Sequence, residues 1–196
     1  MERLRAGSAA PARELRNTFP MESSYNKQLE SELVIRFQDC DPYGHLNNAK
    51  YLDYFFNARA DQTLHYYGWS PLKLSEAFNA HWVVTGHQIS YLRPAMYGET
   101  VSVKTSLIFF DHHSITTECI MLNQEQNVLK AMVWTTLRNV SMETGRSTNH
   151  SPELMELLHK LIIPAFPYGP LAFPDRLHEL KEHYKQLAQN GRVGRE

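Results

Sequence analysis

Cysteine is scarce in this chain, with Cys40 and Cys119 alone among 196 residues. Two thiols cannot build the dense disulfide framework of a small secreted fold, and the expected setting is reducing and cytoplasmic. Long apolar runs are missing as well: no stretch approaches the roughly 20 apolar residues that span a bilayer, and no apolar signal core opens the chain. A soluble protein without a membrane span is expected. Charge of one sign is also lacking, since 20 Lys and Arg stand against 21 Asp and Glu for a net charge of −1. Without a broad positive field a phosphate backbone cannot be held, so nucleic acid is not an expected partner.

Several catalytic signatures are absent too. There is no GxSxG elbow for a serine hydrolase, and no GxGxxG turn or Walker loop for a nucleotide. Ten histidines invite a metal centre, but HExxH and CxxC do not occur, and His178, Glu179 and His183 have the wrong helical spacing. No metal and no organic cofactor is expected. Cys40 is disfavoured as a nucleophile because Asp39 and Asp41 flank it and oppose a thiolate.

What is present suffices for one core. Hydrophobic residues make up 42% of the chain, and this length supports one domain rather than two. Residues 1–27 read as a flexible N-terminal extension, 28–145 as the domain and 146–196 as a helical C-terminal extension. Arg3, Arg5, Arg13 and Arg16 among small residues suggest a transit sequence, but Glu2 and Glu14 oppose that reading.

Leu33, Ile35 and Phe37 alternate within Glu30–Gln38 and predict a first strand. Pro42 and Gly44 then interrupt regular structure, and Asn47 or Asn48 offers a cap for a helix over Ala49–Tyr67 that stops at Gly68. Tyr51, Leu52, Tyr54, Phe55, Phe56 and Ala58 fall nearly all round that helix, which predicts a buried central position. Four further strands are expected at His81–Leu92, Thr100–Phe110, Ser114–Leu122 and Val128–Val140. In the second of these, Val101, Val103, Thr105, Leu107 and Phe109 share one face. A short helix begins at Ser151, a linker covers 164–170, an exposed helix covers Asp175–Gln189, and the tail 190–196 should fray. One strand, one apolar helix and four antiparallel strands fit together only if the sheet curls around the helix, an α+β arrangement.

The stretch DCDPYGHLNNAKYLDYF resembles the hotdog thioesterase superfamily, in particular the 4-hydroxybenzoyl-CoA thioesterase and YbgC-like branch and the plant acyl-ACP thioesterases. Asp39, Asp41, His45, Asn47, Asn48 and Tyr51 stand at positions of the pattern DxDxxxHxNNxxY. A second stretch, SYLRPAMYGETVSV, resembles the family's strand, Pro-containing bend and entry to the next strand. The resemblance covers roughly residues 30–140 and implies a hotdog fold, a curved antiparallel sheet wrapped around one long central helix. It also implies a homodimer joined edge to edge, with acyl-thioester sites at the subunit interface; pairing into a homotetramer would use exposed sheet faces.

By the same resemblance, Asp41 is the catalytic carboxylate, acting as nucleophile or general base. A loop running into a helix N-terminus favours its ionised form. N–H groups of that helix start would serve the thioester oxygen as it gains charge, and Gly44 would allow close approach of the acyl group. His45 matches the acyl-ACP pattern and either assists catalysis or fixes the loop. Asn47 is a catalytic candidate whose alternative is helix capping, and Asn48 is divided between substrate binding and structure. The chain departs from the acyl-ACP branch at Tyr43, a substrate-binding candidate, and from the hydroxybenzoyl-CoA branch at His45. Tyr51 and Tyr54 either line the acyl pocket or belong to the core. Arg93 either meets a CoA phosphate at the pocket mouth or is a solvated strand end.

The function implied is hydrolysis of an acyl-CoA, or acyl-ACP, thioester. Its rivals are a non-catalytic acyl-CoA binding or sensing domain and a dimerising scaffold whose C-terminal extension docks another protein. A hotdog dehydratase is disfavoured because its paired Asp and His signature differs from residues 39–51.

Overall fold

The computed structural model describes residues 25–164, 166–169 and 172–193. The expected N-terminal extension therefore lies outside the described residues except for its last three, as do residues 165 and 170 of the linker and 194–196 of the tail. Strands β1 (Gln28–Val34), β2 (His81–Tyr91), β3 (Thr100–Phe110), β4 (Ser114–Asn123) and β5 (Leu129–Val140) form one sheet in the order β1-β3-β4-β5-β2. Every pairing is antiparallel. Helix α1 (Tyr51–Tyr67) crosses the concave face, followed by α2 (Pro71–Phe78); α3 (Pro152–Leu161) and α4 (Phe173–Val193) come after the sheet. No helix among the described residues is long and apolar enough to cross a membrane.

The strand and helix expectations hold closely for β2 to β5 and for α1. Gly68 ends α1 with φ 74°, donating its N–H to Leu64 O, the left-handed cap that glycine adopts without a Cβ clash. Three expectations change. The first strand stops at Val34 rather than Gln38: residues Phe37–Asp39 wind into a 3-10 turn, and Phe37 is 75% exposed. Ile35 keeps the last inward position through bonds to Glu99 and Gly98 before the chain turns away. In β3 a bulge between Leu107 and Phe109 breaks the alternation, so Phe109 stacks on Tyr168 at 4.3 Å instead of sharing the face of Val101 and Val103. Helix α1 is not enclosed all round: Tyr51, Tyr54, Phe55, Ala58, Gln62 and Thr63 are buried, while Phe56 and Leu64 are exposed.

The inner core joins Tyr51, Tyr54, Phe55 and Ala58 of α1 to Val101, Val103, Cys119, Met121, Ala131 and Val133 of the sheet. Gln62, also buried, satisfies its amide by donating to Ser31 Oγ and Val103 O, each at 2.9 Å, as a polar group taken from water must.

The final helix corrects a further expectation. Rather than standing exposed, α4 packs Phe173, Leu180 and Tyr184 on the convex sheet face, against Ile108, Ile120, Leu122, Met132 and Trp134. The sheet face expected to be open to a second dimer is thus covered there by the chain's own helix. Glu118 is buried beneath it, accepting from Trp134 Nε1 at 2.9 Å and from Arg176 Nε and Nη2 at 3.1 and 3.0 Å. Removing one partner of such a pair strands a buried charge, so Arg176→Ala should cost about 3 kcal/mol. Urea unfolding of the variant against wild type checks this.

Cys119 faces α1 from β4, and burial pushes its thiol up from 9.0 to about 12 despite the opposing pull of Arg59. The folded state then holds the proton that the unfolded chain releases, so the stabilisation is complete below about pH 9 and is lost as pH rises toward about 12. Stability measured by urea should fall across that window and fall less in Cys119→Ala. Ellman's reagent at pH 8 should leave native Cys119 unmodified.

Candidate active site

The turn Asp41–Gly44 follows from its residue types. Pro42 fixes its own φ, Gly44 takes φ 75°, and Gly44 N–H donates to Asp41 O at 3.0 Å. Asp41 closes the turn with its side chain: Oδ1 accepts from the Tyr43 N–H at 2.9 Å and the His45 N–H at 3.0 Å. Among the described residues no hydrogen bond falls on Oδ2. The carboxylate is therefore held at one oxygen and available at the other, as a base or nucleophile requires.

Two bridges seat this loop, Cys40 against Leu46 and His45 against Met96. The Tyr54 hydroxyl reaches up from α1, accepting from the Arg36 N–H at 2.9 Å and donating to Asp39 Oδ2 at 3.0 Å. The Tyr51 hydroxyl accepts from the Ala95 N–H at 3.3 Å on the opposite loop. That second loop is tied to the sheet by Lys130, whose Nζ lies 2.7 Å from Glu99 Oε1 and donates to Pro94 O at 2.8 Å. Burial raises the pKa of both tyrosines, keeping their hydroxyls protonated.

Asp41, His45, Asn48, Tyr51 and Arg93 line one cleft of about 350 Å³ together with Leu46, Tyr91, Leu92 and Pro94. Five sequence-derived candidates thus come together. The others sit around it. Asn47 is exposed and its Oδ1 accepts from the Ala49 N–H at 2.9 Å, capping the 3-10 turn Asn48–Lys50 that opens α1. Tyr43 stands at the turn tip, 81% exposed, and Gly44 shapes the turn. Tyr54 lies under the loop rather than in the cleft. The Cys40 thiol is pushed up by burial and by Asp39 and Asp41, and it donates to Arg36 O at 3.3 Å.

Sequence reasoning missed Tyr91, whose hydroxyl donates to Asn48 O at 2.9 Å and whose ring meets Tyr51 edge-on at 5.1 Å. Its signal was its place beside Arg93 at a strand end. A second, apolar cavity of about 190 Å³ lies between α1 and the sheet, bounded by Leu52, Phe55, Phe56, Trp82, Leu107 and Cys119 among others. Arg59 also lines it and donates to Thr105 Oγ1 at 3.1 Å. Leu52, which follows Tyr51 of the cleft, brings this cavity within one residue of the Asp41 site along α1.

Residues 35–158 match the model of the thioesterase-like superfamily. The chain belongs to that superfamily. It is 27% identical over 142 residues to the long-chain acyl-CoA thioesterase FadM of Escherichia coli, a match covering 68% of this chain and 99% of FadM. Its fold is similar to that of Slr0204, a 1,4-dihydroxy-2-naphthoyl-CoA thioesterase from Synechocystis, at a TM-score of 0.60 and 14% identity, covering 70% and 99% of the two chains. A thioesterase from Thermus thermophilus, solved as a complex with coenzyme A and Zn, is similar at a TM-score of 0.55 and 26% identity, covering 68% and 93%. The expected hotdog architecture and the thioesterase activity class both stand on this membership. Helix α4 lies outside the matched span.

The hydroxyl of Tyr54 is the tie that links this superfamily member's central helix to its Asp41 loop. Tyr54→Phe should lower stability by about 1–2 kcal/mol, because the Arg36 N–H and the Asp39 carboxylate both lose a partner. Asn47→Ala should cost about 1 kcal/mol as a lost cap. Thermal denaturation of both variants checks these values.

Proposed function

We propose that the chain hydrolyses acyl-CoA thioesters to free acid and CoA at the Asp41 cleft. The observation that carries this reading is the Asp41 carboxylate, clamped through Oδ1 by two backbone N–H groups and lining a cleft with His45 and Tyr51. Its Oδ2 attacks the thioester carbonyl, expelling CoA as the thiolate and leaving a mixed anhydride that water opens to the free acid, or it takes the proton of a water that adds to the carbonyl before the C–S bond breaks and CoA leaves. Asn47 already holds the Ala49 and Lys50 N–H groups at the opening turn of α1, which leaves the Asn48 N–H to stabilise the oxygen as charge develops, a contribution of roughly 3–4 kcal/mol for one donor. His45, whose imidazole carries no hydrogen bond among the described residues, assists at the same carbonyl. Arg93 meets phosphate at the cleft mouth, and the apolar cavity along α1 accepts the acyl chain. FadM, similar across nearly its whole length, supports CoA over other thioesters.

The working unit is a homodimer. Strand β2 is an edge of the sheet, exposed from Val83 to Gln88, and an uncovered edge pairs readily with another strand. Joining two β2 edges would bring Phe56 and His87, which meet at 5.9 Å, to the subunit boundary.

Release of free CoA from short, long and aromatic acyl-CoAs tests the activity, with a thiol-reactive dye as readout. Wild type should turn over at least one class, and Asp41→Asn should lose at least about a hundredfold, the scale of a catalytic acid–base group. Retained turnover in Asp41→Asn would remove the carboxylate from the mechanism. Binding without any turnover would make the chain an acyl-CoA sensor.

A further inference from the structure

The Asp41 cleft does not end at Arg93. A second groove of about 530 Å³ begins at Leu92 and Arg93 and runs on to Asn127, Lys181 and Lys185. Leu92 and Arg93 line both, so the arginine stands on the ridge between them. Its backbone is held by its own N–H, which donates to Lys130 O at 3.1 Å, while its guanidinium forms no ion pair among the described residues.

Helix α4 presents Lys181, Tyr184, Lys185 and Ala188 to this groove, the spacing of one helical face. Leu180 and Tyr184 are buried against the sheet, which sets the rotation of the helix and points the two lysines at the groove. Lys181 has no ion-pair partner among the described residues. Lys185 has only the exposed Glu182 at 3.8 Å, a weak pair that an incoming phosphate readily displaces. Among the described residues, Glu182 is the one acidic side chain lining the groove.

We propose that Lys181 and Lys185, with Arg93, form the binding site for the phosphorylated nucleotide end of the acyl-CoA, a role that α4 takes in addition to covering the sheet. The inference rests on the reading of the Asp41 cleft as the thioester site. An acyl-CoA carries its reactive carbonyl at one end of an uncharged pantetheine arm and its phosphates at the other. Two grooves that meet at an arginine, a carboxylate in the first and three cations around the second, match that distribution of charge. A carrier-protein thioester has one phosphodiester at that place and a protein beyond it, leaving the two lysines unused. The groove therefore selects CoA over carrier-protein thioesters.

The test compares wild type with Lys181→Ala/Lys185→Ala, whose exposed positions leave folding intact. Two readouts are needed: kinetics on an acyl-CoA and on the N-acetylcysteamine thioester of the same acid, and calorimetric binding of adenosine 3′,5′-bisphosphate. The double variant should raise KM for the acyl-CoA roughly tenfold, as expected for two lost exposed charge pairs, with kcat unchanged. It should leave KM for the N-acetylcysteamine thioester where it was and weaken the bisphosphate by a similar factor. Glu182→Gln should shift both CoA-dependent readouts the opposite way, and the differences should shrink as salt is added. An unchanged KM for acyl-CoA, in an enzyme that hydrolyses both thioesters, overturns the groove and leaves the activity standing. If no thioester is hydrolysed the activity fails, and the bisphosphate decides the groove: binding that the variant loses sustains it, and binding that is absent or unaltered ends it.

Discussion

Helix α1 can bury its apolar residues only by lying in the hollow of the sheet, and the site depends on that placement. Once Phe55 and Ala58 are seated among Val103, Cys119 and Val133, the tyrosines one turn earlier are committed in position. Their hydroxyls then emerge at the end of the hollow and tie down two separate loops, Tyr54 the loop of Asp41 and Tyr51 the loop of Ala95. One packing decision thus fixes both walls of the cleft. Tyrosine suits these positions because its ring contributes to the core while its hydroxyl satisfies backbone groups that would otherwise be lost from water.

The convex face shows the same economy with a different device. Apolar residues such as Ile108, Met132 and Trp134 would leave a sticky surface on a bare sheet, and α4 covers them. The buried Glu118 is costly to desolvate on its own, and the two-pronged contact with Arg176 together with the indole N–H of Trp134 offsets that cost. The ion pair also ties the first turn of α4 to the sheet, and with the burial of Leu180 and Tyr184 it holds the helix beside Arg93.

The order of the strands and the central helix, the α+β class and the Asp41 loop were all legible in the sequence, because alternation, glycine and proline act locally and the DxDxxxHxNNxxY pattern is dense. Errors arose where a distant partner decides the outcome. Phe37 continues the alternation of β1, but the ladder with β3 ends at Val34 and Thr100, so it turns outward. Phe109 keeps the spacing of its neighbours until a bulge reverses it. The residues of α4 read as solvated because most of that helix is polar, and its few apolar positions gain meaning only from the sheet beneath them.

By itself the sequence determined the order of the strands, the central helix with its glycine stop, the family, and the carboxylate loop, since each is written in neighbouring residues. The tertiary structure alone decided that Tyr91 and Arg93 share a cleft with Asp41, that Tyr54 serves the loop rather than the pocket, and that the last helix closes the convex face. Those outcomes depend on groups tens of residues apart meeting across a curved sheet, where the packing of cross-strand neighbours outweighs any local residue preference.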